Sequence, residues 1–176
     1  DPGNIKWKEV HADAKRFLAR VQASLGKWEQ AWASAHESTQ ILAELTALDP
    51  KNIGWSNWHG QSVLWLARLA NRNGQDAQAY ADKAISILAK ANALDSTNEN
   101  VALSLAKSRN FQAQLDLMHS NAGAVPVHTQ AVLDALAPFW KLEQKEDTRI
   151  ILADAYWLMG QAAHVEGESA RAIGHW

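Results

Sequence analysis

The feature that most narrows what this chain can fold into is an internal repeat. Asp1-Pro2-Gly3-Asn4-Ile5-Lys6-Trp7 returns 48 residues later as Asp49-Pro50-Lys51-Asn52-Ile53-Gly54-Trp55, and more faintly as Asp95-Ser96-Thr97-Asn98-Glu99-Asn100-Val101. A second marker keeps the same step: Gly26, Gly74, Gly123 and Gly167 lie 48, 49 and 44 residues apart. Two markers in phase imply one structural unit used several times, each copy burying its apolar edge against the next. The sequence therefore divides into units of about 1–48, 49–94, 95–146 and 147–176, the last incomplete, within a single repeat domain.

Between the markers, apolar residues step by three and four, which is the spacing of a helix and not of a strand. Val10, Ala14, Phe17, Leu18, Val21 and Leu25 draw one stripe, and Trp28, Ala31, Trp32, Ala35, Thr39, Leu42 and Leu45 draw another. The second unit repeats the pair on either side of Gly74, so each unit reads as a helical hairpin. A glycine past the last turn closes the first helix in the left-handed region at little cost. Asp-Pro stops the second helix, and the Asn that follows caps the next one. These signals predict helices over 5–25, 28–48, 53–73, 76–94, 99–120, 127–145 and 147–166, with an eighth beginning near 168. Pro138 falls inside the sixth and predicts a kink or break there.

The turns from Gly26 to Ala31, from Gly74 to Ala79 and from Gly167 to Ala172, each leading into a second helix, resemble the glycine-to-alanine turn of tetratricopeptide repeats. Tyr156-Trp157-Leu158-Met159-Gly160 with Ala163 is similar to the aromatic, leucine and glycine pattern of that family's first helix. The common unit is about 34 residues; here it is nearer 48, so both helices run longer. The third unit departs from the pattern between Ser120 and Pro126. The resemblance implies an all-α fold, a right-handed solenoid of stacked antiparallel hairpins. It also implies a protein–protein interaction scaffold that receives a peptide or partner domain in a concave groove. Long units of this kind look like those in bacterial multidomain signalling proteins. There they accompany serine/threonine kinases or winged-helix regulators, so a regulatory or sensor segment is the alternative. A structural spacer or self-association element is the third.

In that family the first helix of each unit generally lines the groove, and carrying this over names candidates. Arg16 and Arg20 come from the first unit, and Arg68, Asn71 and Arg72 from the second. Asp154, Trp157, Gln161 and His164 are the matching positions of the fourth. Arg20 and Arg68 are repeat-equivalent and Arg72 lies one turn beyond Arg68, so stacking predicts a basic strip. Guanidinium forks pair well with carboxylates, which suits an acidic or C-terminal peptide segment. The alternative is a solvated face whose arginines pair locally with Asp13 and Asp76. Nine tryptophans read mostly as wedges between hairpins, with Trp157 the exception as an aromatic anchor.

Composition removes other classes. A formal charge of −2 gives no general attraction to nucleic acid or anionic membrane. The absence of cysteine rules out disulfides, thiolate metal sites and a cysteine nucleophile. Seven histidines are scattered without metal-ligand spacing, and no catalytic or nucleotide-binding motif occurs, so neither enzyme, metal nor cofactor is expected. No apolar stretch approaches the roughly 20 residues that span a bilayer. Cytoplasm is favoured over periplasm, although nothing fixes the compartment. The sequence reads as a segment of a longer protein, with Ala172, Ile173 and Trp176 expected to lack their normal partners.

Overall fold

The computed structural model describes residues 4–142 and 145–175. It is all-helical, with no strand among the described residues: α1 (Ile5–Ser24), α2 (Trp28–Leu48), α3 (Ile53–Arg72), α4 (Gln78–Leu94), α5 (Glu99–Met118), α6 (Val125–Leu136), α7 (Glu146–Val165) and α8 (Ser169–His175). Short 3-10 turns cover Ala122–Ala124 and Ala137–Leu142. Consecutive helices pack as hairpins, α1 with α2, α3 with α4, α5 with α6 and α7 with α8. The chain forms two compact units, Asp1–Asp95 and Ser96–Trp176.

The punctuation of the repeat has a physical basis in each unit. Asn4, Asn52 and Asn98 sit at the N-caps of α1, α3 and α5, where their side chains accept backbone N–H bonds from the first turn. Lys145 holds the equivalent place before α7 and makes no such bond. All four of these helices run for 20 residues. Each ends in the same pair of reversed hydrogen bonds: Gly26 to Ala23 and Lys27 to Gln22, Gly74 to Asn71 and Gln75 to Ala70, Ser120 to Leu117 and Asn121 to Asp116, Gly167 to His164 and Glu168 to Ala163. The left-handed residue that permits this has φ of 74° at Gly26, 68° at Gly74 and 78° at Gly167.

Four expectations need correction. The third left-handed position is Ser120, at φ 60°, not Gly123, which lies in a 3-10 turn. Ala79 is exposed because α4 starts four residues after Gly74 where α2 starts two after Gly26, so Ala77 and Ala81 take the buried places. The stripe from Val10 to Leu25 faces outward on α1, whose buried residues are Ala12, Ala19 and Ala23. Ala172 is buried, whereas the side chains of Ile173 and Trp176 lie outside the described residues. Pro138 does end regular α-helix, since α6 stops at Leu136 and a 3-10 turn follows. The end of the helix expected over 127–145 includes 143 and 144, which are outside the described residues.

In the first unit Ala12, Leu42 and Leu45 form one core, with Trp55 and Trp58 of α3 laid against them. Ala19, Ala23, Ala31, Ala35, Leu66 and Leu69 form another, edged by Trp28, Trp32 and Trp65. Alanines and serines let the helices approach closely: Ser38 Oγ donates to the Ala12 carbonyl at 2.9 Å, a bond satisfied across two helices. Gly60 allows the closest approach, because a Cβ there would meet Leu88 Cγ at 2.4 Å. In the second unit Ile151 and Ala155 of α7 pack against Ala102, Ala106, Val132 and Leu136. Asn110 Nδ2 donates to the Ile151 carbonyl at 2.8 Å across the same contact.

Candidate functional site

Arg20, Arg68 and Arg72 line a single cleft of about 340 Å³ in the first unit, together with Ala23, Ser24, Trp28, Trp65 and Leu69. The repeat accounts for the convergence. Arg20 and Arg68 each stand sixteen residues beyond their N-cap asparagine, on the same turn of equivalent helices, and Arg72 follows Arg68 by one turn. Trp28 opens α2 and Trp65 lies on α3, and both are half-buried against the alanine-rich core.

The guanidinium groups lie over these rings. Arg72 Cζ is 3.9 Å from the centroid of Trp28, and Arg68 Cζ is 6.0 Å from that of Trp65. Arg20 Cζ is 6.0 Å from the Phe17 ring. Stacking of this kind is worth about 0.5–1 kcal/mol at an exposed site and restricts a side chain that would otherwise sample many rotamers. Arg20 and Arg72 make no ion pair with a carboxylate among the described residues. Asp76, the expected local partner, instead accepts the Gln78 backbone N–H at 2.9 Å at the start of α4. The cleft lies near the C-terminal ends of α1 and α3, each of which carries about half a negative charge.

Arg16 does not line this cleft. Its side chain is largely buried and donates to Asp13 Oδ1 and to Gln61 Oε1, both at 2.6 Å, while lying over Phe17 and Trp58. Arg16 thus pairs locally with Asp13 and, through Gln61, ties α1 to α3. Asn71 is half-buried on α3 and is not among the residues lining the cleft. Asp154, Trp157, Gln161 and His164 all lie on α7 in the second unit. Asp154, Trp157 and His164 are exposed and Gln161 is half-buried. Trp157, 54% exposed, lines a separate cleft of about 590 Å³ with Ala153, Tyr156, Gly174 and His175.

Of the tryptophans, Trp28, Trp32, Trp55, Trp58 and Trp65 edge the cores as wedges, and Trp7 and Trp157 are exposed. The sequence reading missed that Trp28 and Trp65 also form the floor beneath the arginines. A signal existed for Trp65, which precedes Arg68 by three residues on one helix face. None existed for Trp28 and Arg72, which only the tertiary fold brings together.

His59 is a strongly perturbed titratable group. It is 6% exposed, and burial, with a smaller contribution from the Lys83 charge, lowers its pKa to about 4. Its Nδ1 lies 3.3 Å from Thr46 Oγ1. It is a neutral core residue between α2 and α3 and does not line the arginine cleft. Among the described residues, no group of three or more His, Asp or Glu could hold a metal ion, and no helix is long and apolar enough to cross a membrane. Compared with known protein families and with curated proteins, the chain matches none.

Proposed function

We propose that this chain is a protein-interaction scaffold of the tetratricopeptide kind, and that its first unit holds a carboxylate-bearing segment of a partner protein. The observation that supports this reading is the cleft that Arg20, Arg68 and Arg72 line together with Trp28 and Trp65, Arg72 lying over Trp28 and Arg68 over Trp65. A carboxylate there accepts charge-assisted hydrogen bonds, and the indole surface takes an adjacent apolar side chain. Each such bond contributes roughly 1.5–3 kcal/mol when shielded from water and much less when exposed, so an open cleft favours modest affinity that weakens with salt.

The test is titration calorimetry with acidic peptides, with peptides ending in a free carboxylate, and with the same peptides amidated. Binding that falls at least tenfold in the Arg20→Gln, Arg68→Gln, Arg72→Gln triple variant, and falls with added salt, is the expected result. Equal affinity in a triple variant of unchanged helicity and melting temperature removes the reading.

A further inference from the structure

Which anion suits a cleft depends on how many donors face it and on how far each is already used. No Asp or Glu is among the described residues that line the arginine cleft. Arg20 and Arg72 are both exposed, and neither makes an ion pair with a carboxylate among the described residues. What each touches is a ring, Trp28 for Arg72 and Phe17 for Arg20. Stacking occupies the flat face of a guanidinium, whereas its N–H groups lie in the plane and stay available at the edge. Two oriented guanidiniums with unused donor edges therefore line one cleft of about 340 Å³.

A carboxylate uses only part of this. It has two oxygens and a single charge, and one arginine fork satisfies it in the bidentate arrangement. The second guanidinium then keeps its water and contributes little. A phosphoryl group on Ser, Thr or Tyr carries about −1.5 to −2 charges at pH 7, spread over three acceptor oxygens. That is enough to take one fork from Arg20 and another from Arg72 at the same time.

Resting on the reading that the cleft receives an acidic segment of a partner protein, we propose that phosphorylation of this segment switches its affinity. The phosphorylated side chain seats between Arg20 and Arg72, and the unmodified acidic segment binds the same place more weakly. The control lies in the chemistry of the partner, so the scaffold itself needs no second conformation.

The experiment uses the whole chain and two kinds of probe. Phenyl phosphate and benzoate share a ring and differ in the anion, and each is titrated while nitrogen-15 NMR follows the Trp28 indole and Arg72 side-chain N–H signals. Oriented peptide libraries, with phosphoserine, phosphotyrosine, Glu or Ser fixed at the central position and the neighbours randomised, are then selected on the immobilised chain. Phenyl phosphate should bind about tenfold more tightly than benzoate at pH 7.5, and the phosphorylated libraries should be enriched to about the same extent over the Glu library. This advantage should largely vanish at about pH 5, because the second phosphate proton titrates near 6 and a carboxylate keeps its charge. It should vanish as well in Arg20→Gln with Arg72→Gln. Arg20→Gln alone, which leaves Arg72 stacked on Trp28, should remove about two thirds of it. Circular dichroism confirms the fold of each variant and at each pH. Equal binding of phenyl phosphate and benzoate, with Glu and phosphorylated libraries enriched alike, overturns the proposal and leaves the carboxylate reading in place. If neither anion moves the Trp28 and Arg72 signals and no library is enriched, both fall. A phosphate preference that survives the double substitution places the anion elsewhere and also overturns the proposal.

Discussion

His59 shows how one buried side chain sets a dependence on pH. Unfolded, its imidazole titrates near 6.5; folded, it titrates at about 4, because the charged form loses its water between α2 and α3. Between those values the unfolded chain binds more protons. The contribution of His59 to stability is therefore constant above about pH 6.5 and falls as the pH drops towards 4. At about 1.4 kcal/mol per pH unit, the loss attributable to this group between pH 6.5 and 4.5 is roughly 2 kcal/mol. Urea unfolding at pH 7 and pH 4.5 checks this, with His59→Gln as the comparison. Glutamine does not titrate, so the variant should lose about 2 kcal/mol less than the wild type over that interval. An equal loss in both would place the acid sensitivity in other groups. Arg16 makes a different point at the same scale. A candidate by helix position alone, it is held by Asp13 three residues earlier on α1 and by Gln61, and only the second contact depends on α3 lying beside α1.

At the scale of elements, the helix ends test what local sequence can specify. Asn4, Asn52 and Asn98 were legible as caps because an Asx side chain satisfies first-turn N–H groups wherever it precedes a helix. Gly26 and Gly74 were legible for the same kind of local reason. Gly123 misled because glycine is permitted in the left-handed region and not confined to it, while the 20-residue length of α5 places the turn at Ser120. The outward stripe of α1 misled differently. Its spacing is the same whether a neighbour covers it or not, and periodicity reports a face without saying what lies against it. The arginine strip could be anticipated from the repeat, but its tryptophan floor could not, because Trp28 and Arg72 meet only through tertiary packing. The Ser120 turn carries a prediction of its own. A residue with a Cβ costs about 1 kcal/mol in the left-handed region relative to glycine, and the Ser120 side chain is exposed. Ser120→Gly should therefore raise stability by about 1 kcal/mol in chemical denaturation, bringing the third turn into line with the other three. No gain, or a loss, would mean that the serine hydroxyl contributes at this turn as much as its backbone strain costs.

At the scale of the molecule, the two compact units divide at Asp95, after the second hairpin. The clusters around Leu42 and around Leu66 draw only on residues before that point, and those around Leu136 and Leu158 only on residues after it. A repeat array's stability is a sum of unit terms and neighbour terms, so a pair of hairpins with its own core retains part of that sum when separated. The first unit has features that favour independence. Both of its first helices are capped by asparagine, its polar contacts such as Ser38 with Ala12 are internal, and its aromatic wedges bridge α1–α2 to α3–α4. The chain ending at Asp95 should therefore give a strongly helical circular-dichroism spectrum and a cooperative thermal transition. It should also keep the arginine cleft, since every residue lining that cleft lies between Arg20 and Arg72. The decisive measurement pairs the melt of residues 1–95 with the peptide titration described above. A fragment that melts without a cooperative transition shows that the first unit needs the second for its stability, whereas a folded fragment with the affinity of the whole chain assigns binding to the first two hairpins alone.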